Sequence, residues 1–349
     1  MQNSKIRIGV IGAGRMGITH YSILNAHPDV AVVAVADATS VVNSLIEKYL
    51  HVPAYNDYAK LLDKESIDAL LVCTPPFLNH EILIAAHRRG LHAFVEKPYT
   101  VSHKEGVELA GLYEAAGLVN QVGYVNRFND VFLKARELIE AGLLGEVIRF
   151  RSEMYSRTVI REVDESGWRA ARASGGGALY EMASHSIDLV NFLFGPPDKI
   201  VGTCLSRVFS KNVEDIVSST LVYRKGIVGS LYVNWSDESF RKPTNKIEVF
   251  GKRGKIIADQ HGLKLFLSAA DEARGFRAGW NSLFITDVFS NVPFFVRGIE
   301  FTAQLYDFID CIRSRGTRKS RCSFADAAAT LAVIEAMLLD HSRIEKELN

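Results

Sequence analysis

Ile6-Arg-Ile-Gly-Val-Ile11 runs directly into Gly12-Ala13-Gly14-Arg15-Met16-Gly17, and a helical period from Met16 to Ala26 follows at once. A strand-length apolar run, a Gly-x-Gly-x-x-Gly turn and a helix, in that order, make the dinucleotide fingerprint. Gly12 permits the tight turn, Gly14 lets a pyrophosphate approach the backbone, and Gly17 lets helix and strand pack closely. The phosphates would then rest on N–H groups at the helix N-terminus. Asp37 stands twenty residues after Gly17, at the tip of the next strand candidate, Val30 to Ala36. There its carboxylate would accept from the adenosine ribose hydroxyls and repel the extra phosphate of NADP, so NAD is the expected cofactor. Ala38-Thr39-Ser40 brings no arginine to hold that phosphate, although Arg15 leaves NADP as the lesser option.

Outward from this loop, apolar runs of strand length alternate with helical segments as far as residue 125, the pattern of a parallel sheet with helices on both faces. The strand candidates are Ile6 to Ile11, Val30 to Ala36, Ile67 to Cys73, His92 to Val95 and Val119 to Gly123. Gly90 and Gly117 stand where helices should stop. After a helix from Val131 to Ala141, the pattern changes to strands joined by short turns, from Val147 to Leu267, with Lys225-Gly226 and Gly251-Lys-Arg-Gly254 as hairpin corners. The segment from Ala270 to Arg297 reads as a packed, aromatic-rich loop, and two helices close the chain, the second capped by Ser323 with Asp326. The expected organisation is therefore α/β: a Rossmann domain over 1–125 and an α+β substrate and oligomerisation domain over 126–349. The second carries a large, mostly antiparallel, open-faced sheet, and the last helices are allowed to pack back on the first domain.

The 349 residues carry 41 basic and 40 acidic side chains, a formal charge of +1, so no global field favours nucleic acid or an anionic membrane. The four cysteines form no CxxC pair, which fits neither a zinc ribbon nor a disulfide scaffold. The amino-terminal residues lack the zones of a signal peptide, and no apolar run approaches the ~20 residues of a membrane span. A soluble, cytoplasmic protein is expected, with no metal.

Cys73-Thr74-Pro75-Pro76-Phe-Leu-Asn79-His80 and Glu96-Lys97-Pro98 each follow a strand candidate of the parallel sheet, at the ends where such sheets bind ligands. Farther on, Glu181 and His185 are four apart and share a face if the stretch is helical. Arg149, Arg151, Arg157, Arg161, Arg169 and Arg172 crowd the approach to Gly175-Gly-Gly177, interleaved with Glu153, Glu162, Asp164 and Glu165. They read either as a salt-bridged, solvated stretch or as guanidinium forks for an anionic substrate such as a uronate, sugar phosphate or nucleotide sugar.

With these motifs, together with Gly123-Tyr124-Val-Asn-Arg127-Phe128, Trp168-Arg169 and Gly175-Gly-Gly-Ala-Leu-Tyr-Glu181-Met-Ala-Ser-His185-Ser-Ile-Asp188, the chain resembles the Gfo/Idh/MocA oxidoreductases over nearly its whole length. The resemblance implies nicotinamide-dependent oxidation or reduction of a sugar or polyol in a cleft between the two domains. It implies that Gly12, Gly14, Arg15, Met16, Gly17, Asp37, Thr74, Pro75, Asn79, His80, Glu96 and Lys97 meet the cofactor. Tyr124, Arg127, Trp168, Arg169, Lys97 and His185 would meet substrate. His185 becomes the proton acceptor, Lys97 polarises the reacting oxygen, and Glu181 orients the imidazole. Glu181 stands where the family usually has aspartate, and Ala183 where it usually has glycine. Asp188 reads as structural, capping or pairing within its own helix. The rival readings are a glycosidase of the same fold that uses a resident NAD for a transient oxidation, and a non-catalytic NAD sensor. Retention of both Lys97 and His185 argues against the sensor. A homodimer or homotetramer is expected through the open face of the second sheet.

Overall fold

β1 (Ile6–Ile11) is central to a six-stranded sheet in the computed structural model, which describes residues 5–162, 167–315 and 317–348. It is followed by α1 (Arg15–Asn25), β2 (Val30–Ala36), α2 (Ser40–Leu50), β3 (Ala54–Tyr55), α3 (Tyr58–Lys64), β4 (Ala69–Val72), α4 (Pro76–Arg88), β5 (His92–Val95), α5 (His103–Ala115) and β6 (Asn120–Val122). The strand order is β3-β2-β1-β4-β5-β6, and every neighbouring pair is parallel. The order reverses beside β1, so the carboxyl ends of β1 and β4 frame the crevice in which doubly wound sheets bind ligands. β4 is buried at every position, as a strand covered on both faces must be.

Two elements of this unit were not expected. β3 is a two-residue, half-buried edge strand, too short to show as an apolar run. α3 is started by Asp57, whose Oδ1 accepts from the Ala59 N–H at 2.8 Å. Gly90 and Gly117 do end α4 and α5, at φ of +70° and +63°.

The second unit holds α6 (Asp130–Glu140), β7 (Val147–Tyr155), a π-helical turn at Leu179–Ala183 leading into α7 (Ser184–Phe194), and then β8 (Lys199–Ser206), β9 (Ile216–Val222), β10 (Val228–Asn234), β11 (Thr244–Gly251), β12 (Gly254–Asp259), β13 (Gly262–Leu267), β14 (Gly279–Phe284) and α8 (Ile285–Val288). Its eight-stranded sheet runs β14-β13-β12-β11-β7-β10-β9-β8, antiparallel throughout except for β7 with β10. Strict alternation of burial along β9 and β10 marks one covered face and one open face, and α6 and α7 lie against the sheet. A Cβ on Gly229 would come within 1.9 Å of the Phe150 ring, so the glycine makes room for Phe150 to stack on Phe194 at 4.8 Å. β14 and α8 correct the loop expected from Ala270 to Arg297. In β14, Trp280 and Phe284 lie on the exposed face, so the strand has no apolar buried stripe to betray it.

α9 (Ile299–Arg313) and α10 (Phe324–Leu348) close the chain. Residues 292–328 belong to the first unit and 329–349 to the second. Leu305, Phe308 and Ile309 of α9 enter the same core as Ile8, Val10, Ile23, Leu24 and Phe94, each fully buried side chain contributing about 1.5–3 kcal/mol relative to exposure. The capping box forms as the sequence indicated: Ser323 Oγ accepts from the Asp326 N–H at 3.2 Å, and Asp326 Oδ2 accepts from the Ser323 N–H at 2.8 Å. Among the described residues no helix is long and apolar enough to cross a membrane.

Candidate functional site

The glycine loop has a separate steric reason at each position. Gly12 has φ +87°, and a Cβ there would lie 2.7 Å from the Cys73 carbonyl oxygen. A Cβ on Gly17 would lie 1.8 Å from the Gly12 oxygen, so any side chain would force α1 off β1. Nothing comes within 4 Å of a Cβ placed on Gly14, the residue that opens α1 without a capping side chain. Open space over an uncapped helix start is what a pyrophosphate requires, so the residues present fit a dinucleotide. Asp37 fixes the loop from the β2 side: its Oδ2 accepts from the Ala13 N–H at 2.8 Å and its Oδ1 from the Thr39 N–H at 2.9 Å. Arg15 is exposed and Met16 half-buried.

At the end of β4, Thr74 donates to Asn79 Oδ1 at 2.6 Å, and Asn79 is fully buried. Asn79 therefore shapes the Thr74-Pro75 turn from beneath. His80 is turned toward α5, with Nε2 3.2 Å from Glu108 Oε2. At the end of β5, Glu96 Oε1 lies 2.6 Å from Nε2 of His20, and Oε2 accepts from the Lys97 N–H at 3.2 Å. A Cβ on Gly123 would stand 3.0 Å from Glu96 Oε1, so the glycine lets this carboxylate lie close against the backbone. His20 was missed by the sequence reading. Its only signal is a histidine on the buried stripe of α1 otherwise formed by Gly17, Tyr21, Ile23 and Leu24.

On the second unit, the three glycines of Gly175-Gly-Gly177 are set by backbone conformation or by close contacts. Gly175 and Gly177 have φ of +84° and +94°, and a Cβ on Gly176 would be 2.3 Å from the Arg169 carbonyl oxygen. A Cβ on Gly177 would be 2.3 Å from Glu214 Oε1. The Glu214 side chain is only 2% exposed and holds this turn twice, accepting from the Leu179 N–H at 2.9 Å and from Arg172 Nη2 at 2.6 Å. Nothing in the sequence separated Glu214 from an ordinary surface charge. The chain then passes through the π turn carrying Glu181 into α7, where half-buried His185 sits between buried Ser184 and Ser186. Glu181 takes Arg169 Nε on both oxygens at 3.0 Å, and the Arg169 guanidinium lies 4.6 Å from the centre of the Trp168 ring.

Arg127 corrects the sequence reading. Its Nε and Nη2 reach Asp188 at 2.9 Å and 2.8 Å, with the two side chains 4% and 1% exposed, so this guanidinium is spent inside the unit. The same pair corrects Asp188, which joins α7 to the Val125–Phe128 turn instead of capping its own helix. Removing one partner of such a buried pair costs about 3–5 kcal/mol. Tyr124 is 1% exposed. Four of the crowded arginines meet carboxylates: Arg151 with Glu153, Arg157 with Glu238, Arg169 with Glu181 and Arg172 with Glu214. Asp164 and Glu165 lie outside the described residues. Among the described residues no cluster of three His, Cys, Asp or Glu side chains could hold a metal ion.

Comparison with known proteins identifies the family of both parts of the chain. Residues 6–124 match the family model described as oxidoreductase family, NAD-binding Rossmann fold, and residues 132–257 match the Gfo/Idh/MocA C-terminal domain. The chain belongs to the Gfo/Idh/MocA oxidoreductases. An uncharacterized oxidoreductase of Schizosaccharomyces pombe is 31% identical to this Gfo/Idh/MocA chain over 224 residues, 62% of the chain and 60% of the relative. Myo-inositol 2-dehydrogenase of Thermotoga maritima is 27% identical over 262 residues, 73% of the chain and 75% of the relative. A solved levoglucosan dehydrogenase, in complex with NADH and levoglucosan, superposes with a TM-score of 0.86 at 21% identity, covering 97% of this chain and 98% of that one. The last likeness carries the fold.

Proposed function

We propose that this Gfo/Idh/MocA chain is an NAD-dependent dehydrogenase that moves a hydride between nicotinamide and a carbinol carbon of an uncharged sugar or polyol. The observation that carries the reading is the cradle of Gly12, Gly14 and Gly17 locked to Asp37 through the Ala13 N–H. When bound, NAD supplies the hydride acceptor. The hydroxyl proton must leave as the carbonyl forms, and His185 is assigned as the base that receives it, because an imidazole can both take up and release a proton in the physiological range. Lys97, as an ammonium, stabilises negative charge developing on the reacting oxygen, and the bond from its own N–H to Glu96 steadies the backbone that carries it. Glu181, held by Arg169, faces the same helix start as His185 and is assigned the positioning of that segment. The four arginine–carboxylate pairs leave less cationic surface for an anionic substrate, which supports a neutral one.

The test is a screen of polyols, aldoses, uronates and glycosides with NAD, followed by NADH absorbance. Stoichiometric NADH from a neutral polyol or sugar supports the proposal. Glycoside cleavage without net NADH selects the redox-neutral hydrolase, and NAD binding without turnover of any sugar selects the sensor.

We also propose that the open face of the second sheet joins copies of this chain. Phe250, Phe266, Trp280 and Phe284 stand on it 51%, 37%, 46% and 62% exposed, with Phe266 and Trp280 in edge contact at 5.5 Å. Exposed aromatics gathered on one sheet face mark interaction surfaces.

A further inference from the structure

The returning segment of the first unit brings a second guanidinium to the glycine loop. Phe294 and Phe301 pack against the core of that unit and anchor the stretch between them. Arg297 Cζ stands 5.3 Å from the centre of the Phe301 ring, Phe301 lies 6.4 Å from the His20 ring, and His20 Nε2 reaches Glu96 at 2.6 Å. This run of contacts leads from Arg297 to Glu96 at the end of β5, and β5 lies on the opposite side of β1 from β2, whose tip holds Asp37. Burial and the positive charge of Arg15 push the Arg297 guanidinium down from its ordinary range, while Glu96 pulls it back up.

Arg15 and Arg297 are both exposed and repel one another, and the first follows β1 while the second reaches Glu96 at the end of β5, so both charges face the carboxyl edge of the sheet, where Gly14 leaves open space. Glu96, whose charge acts on Arg297, is already engaged on both oxygens, by His20 and by the Lys97 N–H. Like charges held together in this way are relieved by an anion placed between them, and a guanidinium fork suits phosphate oxygens. We infer that Arg297 is a cofactor-binding residue, closing with Arg15 on the pyrophosphate of the bound dinucleotide. The inference rests on the NAD reading above. It gives the segment preceding α9 a binding role that the glycine fingerprint does not contain. Its position toward β5 assigns it the pyrophosphate and leaves the adenosine end to Asp37.

The experiment titrates NADH, ADP-ribose and adenosine into the native protein, Arg297→Gln and Arg297→Lys by fluorescence and calorimetry, with the melting temperature of each ligand-free protein as the folding control. Arg297→Gln is expected to weaken NADH and ADP-ribose by about tenfold or more, the scale of a lost charge-assisted hydrogen bond. Adenosine, which has no phosphate, should change less than twofold, and Arg297→Lys should fall between. Unchanged NADH and ADP-ribose affinity in Arg297→Gln overturns the inference, as does an equal loss for adenosine. Should Arg297→Gln fail to fold, native affinity for ADP-ribose in Arg297→Lys overturns it, because an ammonium cannot reproduce the fork. A native protein that binds no NADH removes the cofactor reading itself, a result distinct from either of these.

Discussion

Asp37 Oδ2 holds the Ala13 N–H at 2.8 Å, so the carboxylate at the tip of β2 is also a tie on the glycine loop of β1. The residue that would choose between NAD and NADP therefore also fixes the backbone on which the phosphates would rest. Asp37→Ala is expected to lower NADH affinity by about tenfold, roughly the value of a hydrogen bond to a charged group. NADPH affinity should fall less, because the repulsion of its extra phosphate disappears along with the tie. Fluorescence titration of both cofactors checks this, and tighter native binding of NADPH than NADH removes its basis.

Loss of the base and of the cation should each slow chemistry and spare cofactor binding. His185→Ala is expected to cut hydride transfer by roughly two to four orders of magnitude, and Lys97→Ala comparably. If both serve one proton transfer, the double variant should lose much less than the product of the single losses. Single-turnover rates, with NADH affinity as control, decide it. Folded, NAD-bound single variants that work at near-native rates would sink the assignment.

Glu181 neutralises Arg169 through two contacts of 3.0 Å. Glu181→Gln should release that charge and raise kcat/KM for a uronate relative to the matching neutral sugar by about tenfold, a shift of the size one charge-assisted contact supplies. An unchanged ratio means that Arg169 lies away from the substrate. A large fall in kcat on the neutral sugar would separately assign Glu181 the positioning of His185.

Asp215 gives the second unit a pH-dependent anchor. Burial pushes its carboxyl up, but bonds from Ser210 Oγ, Trp235 Nε1 and the N–H groups of Val208 and Ser210 outweigh that and hold it below the ordinary carboxylate range. A carboxyl with its folded pKa below the unfolded value adds stability above the unfolded pKa, near ~3.9, and loses it as pH falls through the folded value. Denaturant unfolding should therefore show Asp215→Asn clearly less stable than the native protein at neutral pH, with the gap closing as pH falls below about 4. A gap that stays constant down to acid pH contradicts the anchor.

The exposed aromatics of β11, β13 and β14 predict self-association. Light scattering at micromolar concentration should report a dimer or tetramer, and Trp280→Glu should shift it toward monomer, because a buried unpaired charge costs several kcal/mol at an interface. A native protein that is only monomeric at that concentration rules this out.

β1, β2 and β5 were legible to the residue because each is a strand-length, mainly apolar run set between helical segments, and β2 is apolar along its whole length, as a strand covered on both faces is. β14 was not, since a strand that turns its aromatics to the open face shows no buried stripe. Among candidate site residues, the close packing of Gly12 and Gly17 and the tie from Asp37 to the same turn follow from a spacing that is a local property of one turn and the two strands beside it. Arg127 looked like any other arginine near a site until the fold set it 2.8 Å from Asp188, sixty-one residues away. His20 under Glu96 and Glu214 behind Gly177 were equally hidden, because each works through a partner distant in sequence. Local periodicity and glycine spacing are written in neighbouring residues and determine the elements and the phosphate loop. Which charges pair with one another, and which remain to meet a ligand, is set by long-range packing, and only the tertiary structure decided that.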